Sequence, residues 1–307
     1  MSTVANPFAK SKLDETLVRL RDLLARVKDP LNDDWDPLEL GLLVSKLEYE
    51  ELDLEDSLAS FYREIVEKFK PCPRSDTIRD QTNHLVKFFT KELGFSGDKS
   101  NYYNIRNSFV SDVLVRRKGI PLSLSLVFMG LCRKAGLRAL GISFPGHFLV
   151  RIQPTAGHFE GSHERAEDWR SQWFVDCFDE GTFLTVEDCE KRLKEWTRGV
   201  IPFGPEVLAV ASPLDILSRM LRNLRAIVSE KEDWPRLYWI LTALIELSPG
   251  DRIEALKDRG FLFARMNRFS SALKDLKEFL SSSTDSNKIQ HVERLVRYFE
   301  TQRDEIN

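Results

Sequence analysis

His147 and Asp176 are the two residues of this chain whose types and surroundings could do chemistry together. Each sits in a short apolar run, HFLVRI after Pro145-Gly146 and QWFVDCF around Asp176. If two such runs pair as strands, imidazole and carboxylate become neighbours, the arrangement in which a carboxylate orients a histidine for proton transfer. A nucleophile is the missing member. Its natural place is the N-terminus of a buried helix, where the helix dipole depresses a cysteine pKa. A suitable helix follows Gly119-Ile120, but Pro121 holds its first position. Ser123 and Ser125 carry hydroxyls just beyond, yet serine has no helix-lowered pKa near neutrality, and small residues there also serve close packing.

Other reactive types read as structure. Cys132 lies in the apolar body of the helix and is expected to be an inert core thiol of raised pKa. Cys177 is next to Asp176, but adjacent strand residues point to opposite faces, so it does not replace the lost nucleophile. His158, Glu160, His163 and Glu164 are metal-ligand types in a polar stretch with Gly157 and Gly161, which reads as a solvated hairpin tip. Neither a metal nor a cofactor is expected.

The elements that must position His147 and Asp176 are legible. From Leu122 to Cys132 almost every residue is apolar or small, so this helix has no solvent face. Pro121 suits its first turn, Arg133 and Lys134 its last, and Gly136 a left-handed stop. The runs Leu137–Phe144 and His147–Ile152, split by Pro145-Gly146, predict strand, turn and strand. Gln172–Phe178 predicts a third strand and Thr185–Trp196 a helix capped by Thr185, giving a three-stranded antiparallel sheet on a buried helix. Gln153–Arg170 reads as the hairpin tip between strands. Upstream, helices are expected over Leu13–Val27, from Asp36-Pro37 to Lys46, along the Leu54, Leu58, Phe61, Ile65, Phe69 face, and over Asp76–Leu93. Gly94–Ser100 reads as a polar break, and Asn101–Arg117 as a short helix feeding a tight turn at Gly119.

From about Pro213 the pattern is helical to the end. In IEALKDRGFLFARMNRFSSALKDLKEFL, from Ile253, Gly260 and Ala272 stand where two helices must approach closely, and Leu256, Phe263, Phe269, Leu276 and Phe279 fill the larger positions. That order resembles the tetratricopeptide repeat, and a degenerate copy with Leu221, Leu224, Val228, Leu241, Leu244 and Pro249 precedes it. Two repeats are fewer than the ~3 that usually stand alone, so this part is expected to pack on the first domain.

The totals set outer bounds. A chain of 307 residues at 42% hydrophobic can bury a substantial core. Its formal charge of -3 gives no electrostatic reason for a nucleic-acid or anionic-membrane partner. No apolar run approaches the ~20 residues of a membrane span, and the polar start, Met1–Lys10, is unlike a signal peptide. Four scattered cysteines, Cys72, Cys132, Cys177 and Cys189, without Cys-x-x-Cys fit a reducing cytoplasm.

The string Gly119 to Gly136, with His147 and Asp176, resembles a transglutaminase-like core: a cysteine at a helix start, then His and Asp on successive strands. Counting back from Gly136 puts the family's nucleophile position at Pro121. More closely, NSFVSDVLVRRKGIPLSLSL, FPGHFLVRI and VDCFDEG, with RNL at 222 and DRG at 258–260, resemble the SirB-like family of bacterial proteins. A similar segment occurs in some eukaryotic F-box proteins, although no F-box is visible in this chain. The SirB-like resemblance implies an α+β, mostly helical fold: a transglutaminase-like core with a small antiparallel sheet packed on a buried helix, followed by tetratricopeptide-like helices. The division expected is 1–35 as an N-terminal helix and linker, 36–200 as core and 201–307 as helical tail. The resemblance extends to the Gly-Ile-Pro replacement of the thiol and to the absence of an established activity. It implies a pseudoenzyme of the transglutaminase-like and cysteine-protease superfamily, with His147 and Asp176 as a vestigial pair. Asn107, Gly119, Pro121, Ser123 and Gly146 are the cleft residues of this reading, and Asn107 matches a family position suited to clamp the turn before Gly119. The function expected is non-catalytic protein or peptide binding through the cleft and the tail. The alternative is a hydrolase or acyl-transfer enzyme using His147 and Asp176 with water or a serine.

Overall fold

The computed structural model describes residues 10–27, 35–71, 77–153 and 169–306. In chain order the elements are α1 (Lys10–Arg26), α2 (Pro37–Glu48), α3 (Leu54–Lys68), α4 (Ile78–Lys87), β1 (Ser96–Gly97), α5 (Val110–Arg116), β2 (Lys118–Gly119), α6 (Pro121–Lys134), β3 (Arg138–Ile142) and β4 (Leu149–Gln153). They continue with β5 (Trp173–Asp176), β6 (Thr182–Thr185), α7 (Val186–Thr197), α8 (Pro213–Glu230), α9 (Trp234–Leu247), α10 (Arg252–Arg265), α11 (Phe269–Ser282) and α12 (Ser286–Ile306). Two compact units result. One is Asp22–Met220; the other joins Met1–Arg21 to Leu221–Asn307.

The first unit is built around α6, whose residues from Pro121 to Cys132 are all buried. A helix apolar on every side is stable only when neighbours cover every side. Here α2, α3, α5 and the sheet do so. Gly130 makes one close approach possible, since a Cβ there would stand 3.3 Å from Leu38 and 3.4 Å from the Tyr62 hydroxyl. Helix α2 begins as its sequence predicts: Asp36 accepts a hydrogen bond from the Leu38 amide and Pro37 takes the first turn, where a missing N–H costs nothing. Helix α7 opens with a capping box between Thr185 and Asp188.

The sheet differs from expectation in size. It has four antiparallel strands in the order β3-β4-β5-β6, not three. Thr182–Thr185, with only Phe183 and Leu184 apolar, is too short for pattern alone to mark as a strand, but it pairs along the whole of β5, from Trp173↔Thr185 to Asp176↔Thr182. The polar break at Gly94–Ser100 also hides structure. Its β1 runs parallel to β2, with Ser96 opposite Lys118 and Gly97 opposite Gly119. The tight turn expected at Gly119 falls two residues earlier, on Arg117, whose φ of 58° ends α5 in a left-handed cap. The helix expected over Asp76–Leu93 is capped by Thr77 and finishes as a π-helical turn, Phe88–Glu92. Asp76 lies outside the described residues, as does most of the expected hairpin tip, 154–168, with its four metal-ligand types.

In the other unit each of the helices α9 to α12 packs against the next, and the small residue at 260 explains how closely α10 and α11 meet. A Cβ on Gly260 would come within 2.7 Å of Leu276. A cleft of about 660 Å³ opens in this unit between α1 and the helices α9, α10 and α11, with Leu17, Val18, Tyr238, Phe263 and Lys274 among its walls. Among the described residues no helix is long and apolar enough to cross a membrane.

Candidate functional site

Pairing of β4 with β5 brings the two chemistry-bearing residues together. Val150 lies opposite Val175 in the antiparallel register, so the next step sets Asp176 across from the start of β4. His147 is not in the strand but in the turn before it, with its amide bonded to the Phe144 carbonyl. Asp176 closes β5 rather than lying within it. His147 Nε2 donates to Asp176 Oδ1 at 2.8 Å, and both side chains are buried. Bonding through Nε2 fixes the ring and leaves Nδ1 as the nitrogen able to take a proton or meet a ligand.

Asp176 is held from several directions. Oδ1 also accepts from the amides of Phe178 and Asp179 at 3.1 and 3.2 Å, while Arg192 Nη1 donates to Oδ2 at 2.7 Å. Burial pushes the carboxyl pKa up, but the bond and charge of His147, then Arg192 and the Asp179 amide, outweigh it, and the net shift is downward. The carboxylate is therefore kept ionised, as a group that orients an imidazole must be.

Sequence reasoning missed two residues of this cluster, Arg192 and Trp196. Both project from α7. Trp196 packs on His147 with ring centroids 5.6 Å apart and on Phe144 at 6.0 Å. Gly146 fits beneath it: its φ is +71°, and a Cβ would meet the indole at 3.5 Å. The i, i+4 spacing of 192 and 196 puts both on one helical face, but only the return of α7 against the sheet shows which face that is.

At the head of α6 Pro121 is buried in the first turn, and the hydroxyl of Ser123 is fully engaged. Ser123 Oγ donates to the Asn107 carbonyl at 2.6 Å and accepts from the Ile120 amide at 3.1 Å. Gly119 leaves room for it, since a Cβ there would stand 2.7 Å from Oγ. Asn107, wholly buried, ties the preceding turn together: Nδ2 donates to the Asn101 carbonyl at 2.8 Å and Oδ1 accepts from Arg116 at 2.9 Å. Gly97, paired with Gly119, lies so close to Phe178 that a Cβ would reach 2.5 Å from its carbonyl oxygen. Phe178 in turn meets the ring of His147, centroid to centroid, at 6.1 Å. A continuous set of contacts thus runs from the strand before α6 to the imidazole.

The thiols stand apart from this chemistry. Cys132, Cys177 and Cys189 are free and buried, and burial raises all three pKa values, that of Cys189 to about 12. Cys177, the first residue after β5, is buried beside Ser125. Among the described residues no cluster of three or more His, Cys, Asp or Glu side chains is arranged to hold a metal.

A buried helix, an antiparallel sheet carrying a His–Asp pair, and appended helix pairs define a class, and the chain belongs to it. This is a member of the transglutaminase-like superfamily, whose family model matches residues 15–222; a tetratricopeptide repeat model matches 224–297. Among its relatives, the UPF0162 protein of Xylella fastidiosa (strain Temecula1) is 29% identical over 279 residues, covering 87% of this chain and 90% of that protein. The UPF0162 protein of Vibrio cholerae is 26% identical over 252 residues, 81% of this chain and 88% of the other. Human F-box only protein 21 is 30% identical over 156 residues, which is 51% of this chain but 23% of that protein. Core and repeats together agree with the SirB-like resemblance.

Proposed function

We propose that this chain is a non-catalytic protein-binding or regulatory scaffold of the cytoplasm, a degenerate transglutaminase-like core joined to tetratricopeptide-like helices. The observation that carries the reading is the head of α6. Pro121 stands at the nucleophile position, and the hydroxyl two residues on is spent on two backbone bonds. What remains, His147 held by Asp176 with Nδ1 open, is a hydrogen-bonding corner that binds a peptide or small ligand. The domains of this reading are 1–35, 36–200 and 201–307. In the unit that joins α1 to the repeats, the cleft lined by Val18, Phe263 and Lys274 takes a segment of a protein partner. Free, buried cysteines fit a reducing compartment, and the charge of -3 supports neither nucleic acid nor membrane as partner.

The test pairs two variants of the full chain. A partner captured from the native cell is identified and its affinity measured against His147→Ala and against Val18→Glu/Lys274→Glu. The reading expects binding to survive the first, to fall at least about tenfold with the second (about 1.4 kcal/mol), and no electrophilic probe to label the wild type in a His147-dependent way. Labelling that vanishes in His147→Ala overturns it.

A second reading is favoured by one observation, the intact His147–Asp176 bond with its ionised carboxylate. In it the chain is a hydrolase or acyl-transfer enzyme in which His147 Nδ1 takes a proton from water or a serine hydroxyl. Turnover of ester or amide substrates lost in His147→Ala supports it; no turnover by the wild type over the same panel sinks it.

A further inference from the structure

Five rings line up across the His147 corner. Tyr103 meets Tyr102 with centroids 5.3 Å apart, Tyr102 meets Phe178 at 5.7 Å, Phe178 meets His147 at 6.1 Å, and His147 meets Trp196 at 5.6 Å. Interplanar angles of 78°, 79°, 83° and 57° turn each ring against the next. The imidazole is the floor of this row and the ends are open: Tyr103 is 69% exposed, Trp196 48% and Tyr102 38%, against 9% for His147. Val200 and Ile201, just beyond α7, are exposed as well. Exposed aromatic side chains flanking the partly buried Phe178 and the buried His147 mark a contact site. Tyr and Trp are the side chains that give large contact area at low entropic cost.

The surrounding charges decide what kind of ligand fits. Lys99 is bonded to Asp179 at 2.8 Å, Arg192 to Asp176 at 2.7 Å, and Lys91 to Glu180 at 3.3 Å. Arg219 donates to the Phe144 carbonyl and the Ser143 hydroxyl. An acidic or basic segment that reached for these groups would have to break one of these pairs to make its own, with no net gain of ion pairs. A neutral apolar segment makes no such exchange. Among neutral segments, a polyproline helix has no internal hydrogen bonds to lose and little freedom left to give up, and its rings fit between aromatic side chains.

We propose that the row Tyr103, Tyr102, Phe178, His147 and Trp196 is the docking site for an uncharged, proline-bearing extended segment of a partner protein. This rests on the peptide-binding reading above and narrows it to one ligand class. The test titrates the full-length chain, by calorimetry, with a capped oligoproline of about ten residues. Capped peptides of equal length made of Ala and Ser, and acidic and basic counterparts, are titrated beside it. The oligoproline is expected to bind at least about tenfold more tightly than the others (P-rich segments lose less entropy on docking). Tyr103→Ala and Trp196→Ala should each weaken it by a similar factor, and Tyr103→Ala should do so without lowering the melting temperature, because that side chain is 69% exposed. Should Trp196→Ala fail to fold, Tyr103→Ala decides alone. If every extended peptide binds equally and the variants lose them all, the proline preference is wrong while the peptide-binding reading stands. Oligoproline binding that neither variant disturbs places the site elsewhere and overturns the proposal. If no peptide binds, both readings of the cleft fall.

Discussion

Replacing Asp176 by Asn tests the account of the His147 cluster most directly. The carboxylate accepts four hydrogen bonds, three on Oδ1 from His147, Phe178 and Asp179, and one on Oδ2 from Arg192. An amide has the same shape but only one accepting atom. With its oxygen in place of Oδ1, its NH2 points at the Arg192 guanidinium; with the amide flipped, it faces three donors. In either orientation at least one donor loses its partner in a site where Asp176 is 1% exposed. Breaking a buried ion pair by removing one partner costs about 3–5 kcal/mol. Arg192 keeps a quarter of its side chain in solvent, so water recovers part of that, and a loss of about 2–4 kcal/mol follows from an unsatisfied donor plus a weakened pair. For a unit of this size that is a fall of very roughly 4–16 °C in melting temperature. The assay is urea and thermal unfolding of the full chain, following the transition of the Asp22–Met220 unit. The pH dependence has a definite sign. Because the native pKa of Asp176 lies below its ordinary value, its contribution is complete above the unfolded pKa and is lost as pH falls through the lower native one. Wild type should therefore lose stability faster than Asp176→Asn as pH drops below about 4, where unfolded aspartate titrates. A variant within about 0.5 kcal/mol of wild type, the range of an ordinary surface change, or acid limbs that superimpose, would refute the reasoning.

Three further outcomes follow from the packing. Gly260→Val, which drives two methyl groups into Leu276, should cost about 1–3 kcal/mol in the unfolding of the helical-repeat unit; an unchanged midpoint would mean that α10 and α11 are not in close contact there. Ser123→Ala leaves the Ile120 amide only its 3.4 Å bond to the Asn107 carbonyl and should cost about 0.5–1.5 kcal/mol while leaving the affinity for a captured partner unchanged; retained stability with lost binding would make the hydroxyl part of the site. Cys132, Cys177 and Cys189, buried with raised pKa values, should resist iodoacetamide near pH 8 and react once guanidinium unfolds the chain, read by peptide mass spectrometry; alkylation of any of them in the native protein contradicts their burial.

The local code of this chain is unusually plain. Asp36-Pro37, Thr185 with Asp188, and Pro121 through Gly136 mark their own helix ends, because caps, proline and glycine act within a few residues of where they stand. The pairing of His147 with Asp176 was also within reach of the sequence, since two apolar runs that form neighbouring antiparallel strands bring their ends together. The strands β1, β2 and β6 were not. Two or four residues carry too little periodicity to be seen, and each exists only because a partner strand supplies its hydrogen bonds.

The residues of the chain alone fixed the apolar helix, the strand order around Pro145-Gly146, and the proline where a thiol would be needed. Tertiary structure decided that Arg192 holds the second oxygen of Asp176, that Trp196 packs against the imidazole, and that five rings from four separate segments meet in succession. It also decided that α1 as far as Arg21 is grouped with the repeats rather than with the core that follows it in sequence. Spacing along one helix tells which side chains share a face, but which partner that face meets depends on how distant segments pack, and that is a property of the assembled core.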